Sequence, residues 1–282
     1  MSERTWRIDP GLAADLAAGL GWDPGDGVAA LTARLPEQVP AGSTAKLSAI
    51  AAGDVPSGAD VDHLARALVD HQHALADPPE RGAPSPSWSC WVFTSAMAAL
   101  VDWADLGPVQ VAALRRIDEA APMVDFHAAV VVGDGVTPLV CDPYFGAVVE
   151  LPAEPGHTEV ARLGPATAAV ARGADGGWLL DTHLGRWAEP LRYRLVAPAL
   201  DRDDVRAFCA VSAVHSGVPS RPYARLHRPG PTVVDVTAHE GGGAAVRTWE
   251  DAAGEGVETV EERATWEQAA ADFAARTGVR IT

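Results

Sequence analysis

Cysteine is scarce in this chain. Only Cys90, Cys141 and Cys209 occur among the 282 residues, and no two stand at CxxC spacing. So sparse and odd a set points to reduced thiols and a cytoplasmic location, not to a disulfide framework. Basic charge is short as well: 22 Lys and Arg stand against 38 Asp and Glu, a formal net charge of −16. A surface of that sign is a poor partner for nucleic acid or an anionic membrane. No apolar run approaches the roughly 20 residues needed to span a bilayer. The start, Met1-Ser2-Glu3-Arg4-Thr5-Trp6, lacks the basic opening and apolar core of a signal peptide. There is no dinucleotide fingerprint, and no internal repeat. Gly241-Gly242-Gly243 is followed by neither a Lys-Ser/Thr pair nor a helix, which makes it a mobile turn and not a phosphate loop. His63, His71 and His73 have no Cys or Glu at ligand spacing, and 71 and 73 diverge on a helix. They read as a solvated face, and no metal site is expected.

What is present is an ordinary globular composition, 48% hydrophobic and 21% charged, in a chain long enough for two or three domains. Residues 1 to about 86 read as short helices separated by breakers. Pro10 to Leu16, Val28 to Leu35 and Asp60 to Asp70 carry the helical apolar stripe or its start signals. From Val124 the period changes. Val130 to Val132, Leu139 to Cys141, Ala147 to Leu151, Ala161 to Leu163, Trp178 to Asp181 and Leu191 to Leu195 are short β-prone runs between Gly and Pro. Such a series predicts a small antiparallel barrel or sheet, with Gly173 to Gly177 as one hairpin tip. From Asp201 a helix over Val205 to Val214 is expected, with its acidic residues at the favourable end. Strands near Tyr223 to Leu226, Thr232 to Val236 and Ala245 to Thr248 follow, then a closing helix to Thr277 with Gly278 just past it.

One stretch organises the rest. A Pro- and Ser-rich loop ends at Pro86, and a long apolar run without Gly or Pro follows Cys90 as far as Leu106. Ser87 or Ser89 would cap the helix, placing Cys90 in its first turn. There the unpaired N–H groups and the helix dipole favour a negatively charged sulfur, the form that reacts as a nucleophile. Taken alone, a Cys at a helix start is usually a small buried residue.

A thiolate needs a base, and the base an orienter. Two β-prone runs, one holding His127 and one holding Asp142, flank Asp134-Gly135. Asp-Gly is the strongest short hairpin signal. If it fills a two-residue turn, His127 and Asp142 stand directly opposite on one face, with Cβ atoms about 5 Å apart. A slip of one residue would put them on opposite faces, and Pro138 suggests an edge strand or a bulge. Cys141 alternates with Asp142 and should point into the core, as should Cys209.

Cys90, His127 and Asp142, in that order and closed by Asp142-Pro143-Tyr144-Phe145-Gly146, give the chain a resemblance to the arylamine N-acetyltransferases. That family has the same order, similar spacings and a DxGFG-like segment after its Asp. The resemblance implies an α+β fold with a papain-like Cys-His-Asp arrangement. It implies a helical bundle over 1–108 carrying the nucleophile, a small antiparallel β-barrel over 109–200 carrying His and Asp, and an α/β lid over 201–282. His215 to Tyr223 and the final helix look like the family's third domain. The family motif RGGxCxExN is altered here to Pro86-Ser87-Trp88-Ser89-Cys90-Trp91-Val92-Phe93-Thr94. Its Arg and both Gly are missing, Val92 replaces Glu and Thr94 replaces Asn. Phe126 precedes the His where a small hydroxyl residue is usual.

The resemblance implies ping-pong acyl transfer from acetyl-CoA or another acyl-CoA, a co-substrate and not a resident cofactor, to an aromatic amine or hydrazine. Cys90 would carry the acyl group, His127 would move protons and Asp142 would fix the imidazole. Trp91, Phe126 and Phe145 are either walls for a flat acceptor or core aromatics. Arg221, Arg225, His227 and Arg228 form a basic patch on an acidic chain. They are solvated arginines or, for Arg221 and Arg225, a contact for acyl-donor phosphates. Two other readings stand beside this one. An amide synthase would take its acyl chain from an acyl carrier protein in natural-product assembly. A catalytically silent binding protein would keep only the fold.

Overall fold

A computed structural model of the chain describes residues 6–51, 65–66, 69–70, 87–117, 126–133, 137–163, 166–184, 191–205, 207, 221–228, 232–252 and 255–281. The expected features at Asp134-Gly135, at Cys209, at His63, His71 and His73, and over most of 60–70 and 206–220 lie outside these residues.

The N-terminal helices form where their caps predict. Helix α1 (Pro10–Leu20) has Pro at its first position, and the Asp9 side chain accepts from the Leu12 N–H at 3.0 Å. Gly21, at φ 62°, closes it in the left-handed conformation. Helix α2 (Gly27–Gln38) follows a 3₁₀ turn, Pro24–Asp26, that Asp23 and Asp26 cap reciprocally. A two-residue strand β1 (Ala41–Gly42) and helix α3 (Thr44–Ala51) come next. The Cys90 helix (Cys90–Trp103) buries every residue from Trp91 to Asp102. A helix that is apolar on all sides belongs at the centre of a core, and this one packs on α1, α2 and the strands below.

The central sheet comprises β2 (Val109–Arg116), β3 (Phe126–Val132), β4 (Leu139–Asp142), β5 (Ala147–Glu150), β6 (Thr158–Leu163), β7 (Ala166–Arg172), β8 (Trp178–Leu184) and β9 (Leu191–Leu200). All pairings are antiparallel, in the order β5-β4-β3-β2-β9-β8-β7-β6. The end strands β5 and β6 lie against each other, so the sheet curls into a nearly closed barrel. Its inner residues and the N-terminal helices share one continuous core, from Trp6 to Val205. The β7–β8 hairpin turns at Gly173 to Gly177 as expected, with Asp175 accepting from the Gly177 N–H at 3.0 Å.

The β3–β4 register corrects the sequence expectation. Val130 pairs with Cys141 and Val132 with Leu139, which is not the register that a two-residue turn at Asp134-Gly135 would give. The shift is two residues, and parity is kept. His127 and Asp142 stay on one face as diagonal neighbours.

The C-terminal sheet adds β10 (Tyr223–Arg228), β11 (Thr232–Ala238), β12 (Ala244–Ala252) and β13 (Glu255–Arg263), in the order β1-β10-β11-β12-β13. Strands β1, β2, β7 and β13 are additions to those expected. One face, including Ala224, Leu226, Val234, Val236 and Val246, packs on the C-terminal helix (Trp266–Thr277) through Phe273. Thr265 caps that helix and Gly278, at φ 79°, ends it. Strand β1 ties the N-terminal part to this sheet: Ala41 pairs with Arg225 and Gly42 with Ala224. The approach is so close that a Cβ on Gly42 would meet the Tyr223 carbonyl oxygen at 2.2 Å. No helix among the described residues is long and apolar enough to cross a membrane.

Candidate active site

Cys90 is the first residue of its helix, half-buried and in no disulfide. Ser89 holds the cap position in extended backbone, but its side chain makes no capping bond. Ser87, the other capping candidate, does different work. It is fully buried, and its hydroxyl bridges the Thr44 N–H at 3.0 Å and the Tyr223 carbonyl at 2.8 Å. The chain entering the helix is thus pinned between the N-terminal segment and the C-terminal sheet. One turn into the helix, the Thr94 hydroxyl donates to the Ala128 carbonyl at 3.3 Å, anchoring the helix to β3 beside His127.

His127, the second residue of β3, and Asp142, the last of β4, are both buried. Nε2 of His127 lies 2.7 Å from Oδ2 of Asp142. The other carboxylate oxygen accepts from the Phe145 N–H at 3.3 Å, and the Thr182 hydroxyl reaches Oδ2 from β8 at 3.5 Å. Cys90 lies close enough to the same imidazole for its sulfur to raise the ring's pKa. With Nε2 committed to Asp142, the ring nitrogen left for sulfur is Nδ1. The structure therefore sets His127 against Asp142, with Cys90 near enough to act on the charge of the imidazole.

Burial works against a charged imidazole at His127. The Asp142 carboxylate and the Cys90 sulfur outweigh it and push the pKa up from 6.5 to about 10. Cys141, by contrast, is buried on the opposite face of β4, and burial pushes its thiol up to about 12. That is the signature of an inert core cysteine.

Three aromatic rings surround the imidazole: Tyr193 stacked at 4.9 Å, Phe145 at 5.3 Å and Tyr144 edge-on at 5.9 Å. Phe145 was expected near the site. Tyr144 and Tyr193 were not singled out, although Tyr144 lies in the segment after Asp142 and Tyr193 in a strand run whose inward face could be read. Trp91 is buried in the main core, and Phe126 opens β3 with its backbone, its side chain lying outside those described.

The basic patch is not one surface. Arg221 pairs with Glu240. Arg225 is only 3% exposed, donates to the Tyr144 carbonyl at 3.1 Å, and lies over the rings of Tyr144 and Phe145 at 4.9 and 4.6 Å. Because the barrel turn covers its guanidinium, Arg225 has no open face for a phosphate, which corrects that expectation. Among the described residues, no cluster of His, Cys, Asp and Glu could hold a metal ion.

No family model matches this sequence, and no curated protein matches it. Solved structures do. Arylamine N-acetyltransferase from Salmonella typhimurium superposes with a TM-score of 0.68 at 12% identity, covering 96% of this chain and 92% of that one. The Nocardia farcinica enzyme gives 0.66 at 16% identity over 100% and 95%. The chain has the arylamine N-acetyltransferase fold. A third example, Bacillus cereus arylamine N-acetyltransferase 3, matches at 0.65 and 12% identity over the full length of both chains. That protein has a unique Cys-His-Glu catalytic triad; here the acid beside the histidine is Asp142.

Proposed function

We propose that this protein is an N-acyltransferase that moves an acetyl or other acyl group from coenzyme A to an aromatic amine or hydrazine through a Cys90 thioester. One observation carries the reading: a single buried imidazole, His127, lies 2.7 Å from Asp142 and close enough to Cys90 for the sulfur to raise its pKa. A structural cysteine needs neither partner.

In the first half-reaction the imidazole takes the thiol proton, and sulfur attacks the thioester carbonyl of the donor. The C–S bond to coenzyme A breaks, and the proton passes from His127 to the departing thiolate. In the second half-reaction the amine attacks the Cys90 thioester, His127 removes its proton, and sulfur leaves. Asp142 holds the ring and balances its charge throughout. The flat aromatic acceptor follows from the likeness to the arylamine N-acetyltransferases that share this fold.

The test is intact mass after incubation with isotopically labelled acetyl-CoA and no acceptor. One labelled acetyl group is expected on the wild type, released on adding an arylamine, and none on Cys90→Ala. A wild type that stays unmodified would remove acetyl-CoA as donor.

A further inference from the structure

The turn after Asp142 is gripped from behind by the C-terminal sheet. Residues 225 and 227 of β10 share the face opposite the C-terminal helix, because Ala224 and Leu226 occupy the other one. Both are buried, and both meet the turn 143–146. Arg225 donates to the Tyr144 carbonyl and covers the Tyr144 and Phe145 rings. A Cβ on Gly146 would lie 3.4 Å from Nδ1 of His227. The same two aromatics touch the His127 ring, and the Phe145 N–H bonds Asp142.

A guanidinium withdrawn from water is costly unless charge and hydrogen bonds compensate it. The sheet places charge of both signs beside it. Asp235, the cross-strand partner of Arg225, is also buried, and Arg247 on the next strand reaches Asp235 at 3.7 Å. Positive, negative and positive side chains thus succeed one another across β10, β11 and β12. A planar group that stacks on two rings while donating to a carbonyl is a role arginine fills and lysine does not.

We propose that Arg225 is a positioning residue for the His127–Asp142 pair: it fixes the Tyr144–Phe145 segment whose rings and N–H hold that pair in line with Cys90. This rests on the relay reading above. It also gives the C-terminal sheet a part in the chemistry without contact with the reacting atoms.

The experiment is alkylation of Cys90 by iodoacetamide, resolved by peptide mass and followed from about pH 5 to about pH 10. It is run on the wild type, Arg225→Met and Arg225→Lys, with kcat and KM measured in parallel. Facing the imidazole in this titration are Asp142, Cys90 and the phenols of Tyr144 and Tyr193; facing Arg225 are Asp235 and Tyr144. In the wild type the rate should stay high below the pH at which a free thiol slows. Arg225→Met should lower it roughly tenfold at neutral pH and move the profile toward a free thiol, with kcat falling and KM held. Arg225→Lys, which keeps the charge and is the safer folder, should lie between. Either variant, folded and carrying the wild-type profile, overturns the assignment. A wild type that itself behaves as a free thiol instead overturns the relay. Should Arg225→Met fail to fold, the lysine variant decides.

Discussion

Nε2 of His127 meets Oδ2 of Asp142 at 2.7 Å, with both side chains withdrawn from solvent. The carboxylate therefore decides which ring nitrogen faces Cys90. Asp142→Asn keeps the shape but removes the charge and can hold the wrong tautomer. Acyl transfer should fall roughly 1,000-fold or more, as in other relays of this kind. Steady-state rates with acetyl-CoA and an arylamine check this; a loss under tenfold would take Asp142 out of the relay.

The same pair makes stability depend on pH. His127 is pushed from 6.5 to about 10 in the folded protein because Asp142 and Cys90 outweigh its burial. A raised pKa means that the folded state holds the proton more tightly than the unfolded one. The contribution is complete below about pH 6.5 and is lost as pH rises through about 10. Melting temperature should fall across that window, and the fall should shrink in Asp142→Asn. Thermal melts of the two proteins at matched pH would show it.

Tyr193 stacks on the His127 ring at 4.9 Å with 30° between the planes. Tyr193→Ala opens a void against the imidazole. It should cost roughly 3 kcal/mol of stability and about tenfold in kcat. Tyr193→Phe keeps the ring and should retain most of both. Urea denaturation and steady-state kinetics separate the two.

Most of this architecture was legible from periodicity and punctuation. The Cys90 helix announced itself by an apolar run after a Pro/Ser loop, and the barrel by short β-prone runs between Gly and Pro. Val109–Arg116 was not legible, because a short segment that mixes Val with Ala and ends in two Arg becomes a strand only when β3 and β9 flank it. Glu255–Arg263, charged and on a sheet edge, carries little apolar signal of its own. At the site, the types and order of Cys90, His127 and Asp142 were readable. Arg225 was misread as a surface group because no local pattern reveals that a turn 81 residues earlier will cover it.

The rebuilt stretch before Cys90 has its own test. Ser87 stands where the family has Gly, and its hydroxyl and N–H make bonds to Thr44 and Tyr223 that Gly cannot reproduce in full. Ser87→Gly, although nearer the family motif, should destabilise by about 1 to 3 kcal/mol by leaving buried groups unpaired. It should also slow Cys90 alkylation. Equal stability in urea would show the bonds to be dispensable.

Gly42 pairs with Ala224 where three segments cross, and a Cβ there would stand 2.2 Å from the Tyr223 carbonyl oxygen and 2.3 Å from the Ser87 hydroxyl. Neither obstacle is the loose end of a long side chain, so backbone must move. Gly42→Ala should cost about 3 kcal/mol or more. Gly21→Ala is the control: its φ of 62° strains an L residue, but nothing lies within 4 Å, and the cost should stay near 1 kcal/mol. If urea midpoints shift equally in the two variants, the crossing between β1, the approach to Cys90 and β10 is not the tight junction its geometry indicates.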